Sequence, residues 1–156
     1  MKKWLIISLV FLVSIIIVII YSINKNKYIS DFSCTSEYNV VAGKTQLSSS
    51  MSITHKNNKG LTLLVGDYLK SDGTTIQIRI SKPFTYTQSK NTFHSESNSI
   101  SLIPKEIYQD MDLIHMLPIF LTESNSEVVY SVIPLKNNDY IIQQGITPVL
   151  YCINNK

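Results

Sequence analysis

The chain has 156 residues, 44% of them hydrophobic and 16% charged, with a formal net charge of +3; this is enough for one ordinary domain and too little for two. Four basic residues, Lys2, Lys3, Lys25 and Lys27, flank one apolar run; without them 10 basic residues face 11 acidic ones, so the excess is a membrane flank and not a surface for nucleic-acid phosphates. Composition thus excludes a disordered tail, a coiled coil, a multi-span transporter and a nucleic-acid binder.

The first predicted element is the run itself. Residues 4–23 carry no charge, and a helix of that length spans ~30 Å, the thickness of a bilayer's hydrocarbon core. A cleaved leader has a shorter apolar region followed by small residues at the cleavage site, whereas Tyr21, Ser22, Ile23 and Asn24 follow here. Cys34 comes after Asp31-Phe32-Ser33, which is no lipobox. A retained anchor is the favoured reading, with the amino terminus inside by a small charge bias. The expected division is an anchor over 1–23, a linker over 24–31 and a β-rich domain over 32–156.

Cys34 and Cys152 are the two cysteines. Their separation fits neither a zinc knuckle nor a redox-catalytic pair. Two readings stay open, a disulfide tying the first strand of the domain to the last, or two unrelated buried thiols. The disulfide is favoured. Closing so long a loop contributes ~4–5 kcal/mol in the chain-entropy picture, and such bonds persist in oxidising compartments. That places the domain outside the cytoplasm, which in a bacterium is the periplasm.

Period-two alternation then dominates. Leu47, Met51, Ile53 and His55 share one face of a strand that turns at Asn57-Asn58-Lys59-Gly60. In the next strand Leu61, Leu63 and Val65 are expected to face inward, opposite Thr62, Leu64, Gly66 and Tyr68. After Ser71-Asp72-Gly73, Ile76, Ile78 and Ile80 alternate with Thr75, Gln77 and Arg79, and Pro83 interrupts before Phe84. Ile107, Met111, Ile114 and Leu117, at spacings of 4, 3 and 3, predict a helix opened by Pro104 and stopped near Pro118. Strands return with Val128, Tyr130 and Val132, turn at Lys136–Asp139, and end with 140–142 and 146–153. The expected fold is mainly β: seven or eight short antiparallel strands in a small barrel or curved sheet, with one helix.

Catalytic constellations are missing. Gly43-Lys44-Thr45 lacks the upstream glycine of a phosphate loop, since Tyr38 stands there. No nucleophile elbow or zinc-protease helix occurs. His55, His94 and His115 are isolated in sequence, and Asp110 and Asp112 are read as solvated charges. Arg79, the domain's one arginine, is either a cross-strand surface charge or a bidentate contact to a carboxylate of a partner or ligand. The expectation is no enzyme, no cofactor and no metal.

Several motifs together resemble a known family: Phe32-Ser33-Cys34 after the anchor, Gly60 to Gly66-Asp67-Tyr68-Leu69, an Asp-Gly turn, Ile76 to Ile80 leading to Phe84-Thr85-Tyr86, and Pro148 to Cys152 at the end. The pattern is similar to the FidL-like bacterial inner-membrane proteins, which are encoded beside ToxR-like winged-helix membrane regulators and are similar in arrangement to ToxS and VtrC. The resemblance implies a lipocalin-like barrel that binds and stabilises such a regulator in the periplasm and shares with it a site for bile-salt-like amphipathic ligands. The interior apolar residues Leu61, Leu63, Val65, Ile76, Ile78, Ile80, Tyr130 and Val132 are then the candidate cavity lining, with ordinary core as the competing reading. A stand-alone periplasmic binder and an anchored envelope-assembly protein are the rival functions.

Overall fold

A computed structural model of the chain describes Trp4, residues 12–19, Ile29 and residues 31–155. Residues 12–19 are helical, and among the described residues no helix is long and apolar enough to cross a membrane. The expected anchor over 1–23 and linker over 24–31 lie largely outside the described residues.

Alternating residues become nine strands: β1 (Phe32–Ala42), β2 (Thr45–Lys56), β3 (Lys59–Leu69), β4 (Thr75–Ser89), β5 (Thr92–Ser97), β6 (Ser101–Ile103), β7 (Ser126–Pro134), β8 (Tyr140–Gln144) and β9 (Thr147–Asn154). Each pairs antiparallel with its neighbour in the chain, except that β5 pairs with β7 and short β6 lies beside β4; β9 returns to β1 and β3 pairs β4. Eight strands therefore close an up-and-down antiparallel barrel, which removes most unpaired edges. Tight turns make this possible. Asn57 and Asn58 both adopt positive φ, 51° and 60°, as a two-residue hairpin turn twisted to match its strands requires, and asparagine tolerates that region best among residues with a Cβ.

The wall is uneven. β1–β2, β2–β3 and β3–β4 each pair over eleven positions, whereas β1 and β9 pair at only two, Cys34 with Asn154 and Thr35 with Ile153. At that short seam the Cys34–Cys152 disulfide forms, with Cα atoms 5.4 Å apart. Of the two cysteine readings, the structure has the disulfide.

On β2 the face of Leu47, Met51, Ile53 and His55 is buried, as alternation predicts. On β3 the expectation is reversed. Thr62, Leu64 and Tyr68 point inward, while Leu61, Leu63 and Val65 lie on the outer face. The reason is room on the inner side. Gly60 faces the Phe84 ring, and a Cβ there would lie 2.1 Å from it; at Gly66 a Cβ would lie 2.2 Å from the Ser48 carbonyl oxygen. These two glycines share the inner phase with Thr62, Leu64 and Tyr68, and a strand cannot slip by one residue without exchanging both faces. Three outward apolar side chains are tolerable on a protein surface.

The predicted single helix also differs. Lys105–Gln109 is a 3-10 turn, α1 (Met111–Met116) follows, and Ile119–Leu121 is a second 3-10 turn. Asp110 breaks the run. Its backbone is extended, and its carboxylate accepts from the Leu113 amide as an N-cap. It also accepts from the Tyr68 hydroxyl at 3.1 Å and pairs with Lys70 at 3.3 Å, so it is no free solvated charge. Met111 consequently lies exposed, while Ile107, Leu113, Met116, Leu117 and Leu121 pack into the core.

Candidate functional site

One end of the barrel is solid. His55 stacks on Phe32 with ring centroids 4.3 Å apart and meets Phe84, Tyr86 and Phe93 at 4.7–5.1 Å. Its Nε2 lies 2.5 Å from the Tyr130 hydroxyl, and Nδ1 has no hydrogen-bond partner among the described residues. Burial holds its pKa down at about 4, against a smaller opposing pull from Asp31, so the ring is neutral at neutral pH. Burial raises the Tyr130 hydroxyl above the ordinary tyrosine value.

Beside this cluster the interior is hollow. A cavity of about 620 Å³ runs between the wall and the chain that follows α1, within the range of ligand-sized pockets. Met51 and Ile53 come from β2, Phe84 from β4, Val128 and Tyr130 from β7, Ile142 from β8, Leu150 from β9, and Ile119 and Phe120 from the second 3-10 turn. Thr62, Lys82 and Ser95 are the buried polar side chains of its wall; Ser97, Glu123, Asn125, Ser126, Glu127 and Gln144, all less buried, line it as well. Lys82 is only 3% exposed. Its ammonium donates to the Glu123 carbonyl. Burial depresses its pKa and the Glu123 carboxylate partly opposes that.

A second hollow of about 450 Å³ separates β1 from β9 beyond their two paired positions, between Ser36–Asn39 on one side and Val149–Tyr151 with Ile153 on the other. Tyr38, Val149 and Leu150 line both spaces. The open seam therefore borders the interior cavity. Tyr38 props its inner edge, donating from its hydroxyl to the Met116 carbonyl at 2.7 Å.

The cavity is not where the sequence placed it. Of the eight expected lining residues, only Tyr130 touches it. Ile78, Ile80 and Val132 are fully buried core, Ile76 packs against that core, and Leu61, Leu63 and Val65 face outward. Arg79 is exposed between Val65 and Ile103 in register, on the outer face, away from the cavity lining. Lys82 was passed over, although one sequence signal marks it: it continues the inward phase of Ile78 and Ile80, where a lysine is out of place. Among the described residues, no three or more His, Cys, Asp or Glu side chains gather closely enough to hold a metal ion.

Comparison with known proteins gives a family and one relative. Residues 31–152 match the family described as the YqeJ C-terminal domain. The relative, bearing the name "Uncharacterized protein YqeJ" in Escherichia coli (strain K12), is 24% identical over 156 residues, covering 97% of this chain and 96% of its own. No solved structure gives a significant match. Neither match carries a FidL-like, ToxS or VtrC name. The extent of the family match, which takes in the cysteines and all but the last two residues of the barrel, shows that the chain belongs to the YqeJ C-terminal domain family.

Proposed function

We propose that the chain is a membrane-anchored periplasmic co-component, held in the bacterial inner membrane with its amino terminus in the cytoplasm, which docks to a ToxR-like winged-helix transmembrane regulator and stabilises it. The observation that carries this reading is the seam. Ser36–Asn39 of β1 and Val149–Tyr151 of β9 face each other without pairing, and such edges offer unpaired backbone donors and acceptors to an added strand. Val149, Tyr151 and Ile153, each about half exposed on the outer face of β9, supply apolar surface beside it. The disulfide keeps the foot of the seam shut, so an incoming segment meets two edges already held at a fixed spacing. A shared membrane raises the effective concentration of the two proteins. On this reading the barrel is lipocalin-like, and its cavity is a chamber shared with the regulator for a bile-salt-like amphipathic molecule. A ligand there touches Tyr38, Val149 and Leu150, which also border the seam. It shifts the paired state by as much as its affinity differs between paired and open forms.

The test is site-specific photocrosslinking in membranes, with benzoylphenylalanine at Glu37 or Asn39 on the β1 edge and at Gln77 on the far wall, with the neighbouring regulator co-expressed. Adducts with the regulator from the two seam positions alone are expected. Equal or absent adducts at all three overturn the proposal. The cavity's size favours one second reading, a stand-alone periplasmic binder, which takes its ligand with the same affinity whether or not the regulator is present.

A further inference from the structure

Lys82 is the one charged side chain among the described residues that is almost wholly buried in the cavity wall. A buried ammonium is costly unless it is paired and hydrogen-bonded. Here one of its three N–H groups meets the Glu123 carbonyl, and no carboxylate of the described residues lies within ion-pair distance. Its direct cross-strand neighbour is Thr62, also inward and buried, whose hydroxyl makes no hydrogen bond to the described residues. The remaining N–H groups of Lys82 and the Thr62 hydroxyl thus stand side by side on β3 and β4 with no further acceptor among the described residues, in a chamber whose wall also carries Met51, Ile53, Phe120, Val128 and Leu150. Glu123 and Glu127 lie at its rim, but both are exposed; water and salt screen exposed charges far more than buried ones.

We infer that the cavity takes an amphipathic organic anion, its carboxylate or sulfate head on Lys82 and Thr62 and its apolar body against Met51, Ile53, Phe120, Val128 and Leu150. The inference rests on the reading of the cavity as a ligand chamber and not on the docking of a regulator. The head supplies the missing counter-charge. Charge-assisted hydrogen bonds to it are about twice as strong as neutral ones, and the body replaces water along the apolar wall.

The test uses the full chain in phospholipid nanodiscs without any regulator. The probe is dodecanoate carrying a diazirine at its tail, with adducts mapped by peptide mass spectrometry. Adducts are expected on the peptides holding Phe120 and Val128. Dodecyl sulfate should displace the probe at least ~10-fold better than dodecyl maltoside or dodecyltrimethylammonium, the ratio expected for one charge-assisted contact. Lys82→Met should cut adducts about 10-fold, Lys82→Arg should keep them, and Thr62→Val should lower them severalfold. Persistence of the Cys34–Cys152 bond in unreduced material reports the fold of each variant. If Lys82→Met does not fold, the contrast between Lys82→Arg and Thr62→Val decides. Indifference to head-group charge, adducts confined to residues 4–23, or unchanged labelling in Thr62→Val and Lys82→Met overturns the inference. The seam crosslinks at Glu37 and Asn39 are scored in separate samples, so either proposal fails without the other.

Discussion

Acidification should destabilise this barrel through one side chain. His55 is 1% exposed inside an aromatic cluster, its Nδ1 without a hydrogen-bond partner among the described residues, and burial lowers its pKa from 6.5 to about 4. The folded state therefore holds the neutral ring while the unfolded chain takes a proton near pH 6.5. Because the folded value is the lower one, the contribution is complete above pH 6.5 and is lost as pH falls from there toward 4. At ~1.4 kcal/mol per pKa unit, the loss between pH 7 and pH 5 is about 2 kcal/mol. Three aspartates are shifted down, out of this window. Asp72 is held below the ordinary value by the Thr74 amide and Asp139 by the Tyr151 hydroxyl; at Asp110 burial is outweighed by the Leu113 amide and the Tyr68 and Lys70 contacts. Each of these loses its contribution only as the pH falls below the ordinary aspartate value of 3.8. The assay is urea unfolding of residues 31–156 at pH 7, 6 and 5, beside His55→Gln, which retains His94 and His115. The midpoint should fall with pH in the parent and stay nearly level in the variant. Parallel pH slopes in the two proteins would refute the assignment.

Three other outcomes follow from the geometry. Cys34→Ser with Cys152→Ser removes the staple at a seam of two paired positions and should cost ~4–5 kcal/mol in denaturant midpoint analysis, while unreduced wild-type protein should resist maleimide. Gly66→Ala drives a Cβ to 2.2 Å from the Ser48 carbonyl and should destabilise by ~1–3 kcal/mol or more; Gly60→Ala, opposed by the Phe84 ring, should be partly rescued by Phe84→Leu, and Gly66→Ala should not be. Asp110→Ala removes the α1 cap and should cost ~1 kcal/mol; because Asp110 adds to burial in lifting Tyr68 to about 12, ultraviolet titration should show that tyrosine moving part of the way toward 10.

Period-two alternation and the turn read over Asn57 to Gly60 were enough to read a β-rich domain from the residues alone, and the two distant cysteines to favour a disulfide over two buried thiols, because hairpin turns and strand periodicity are local properties of the chain. The broken helix was less legible. Its apolar spacing is helical, but Asp110 is bound by Tyr68 and Lys70, distant in the chain on and just after β3. A cap on the wrong side of an apolar repeat overrides the repeat.

Alternation defines two faces of a strand without saying which is inside. For Leu61, Leu63 and Val65 the richer apolar face lost, because the inner face needed the missing side chains of Gly60 and Gly66 where Phe84 and the Ser48 backbone approach. The same kind of decision hollowed the barrel beside Tyr130, left β1 and β9 apart above their disulfide, and set Lys82 beside Thr62 across a strand pair. Those features depend on how eight strands close on one another. Closure is a property of the whole circuit, and no window of sequence contains it.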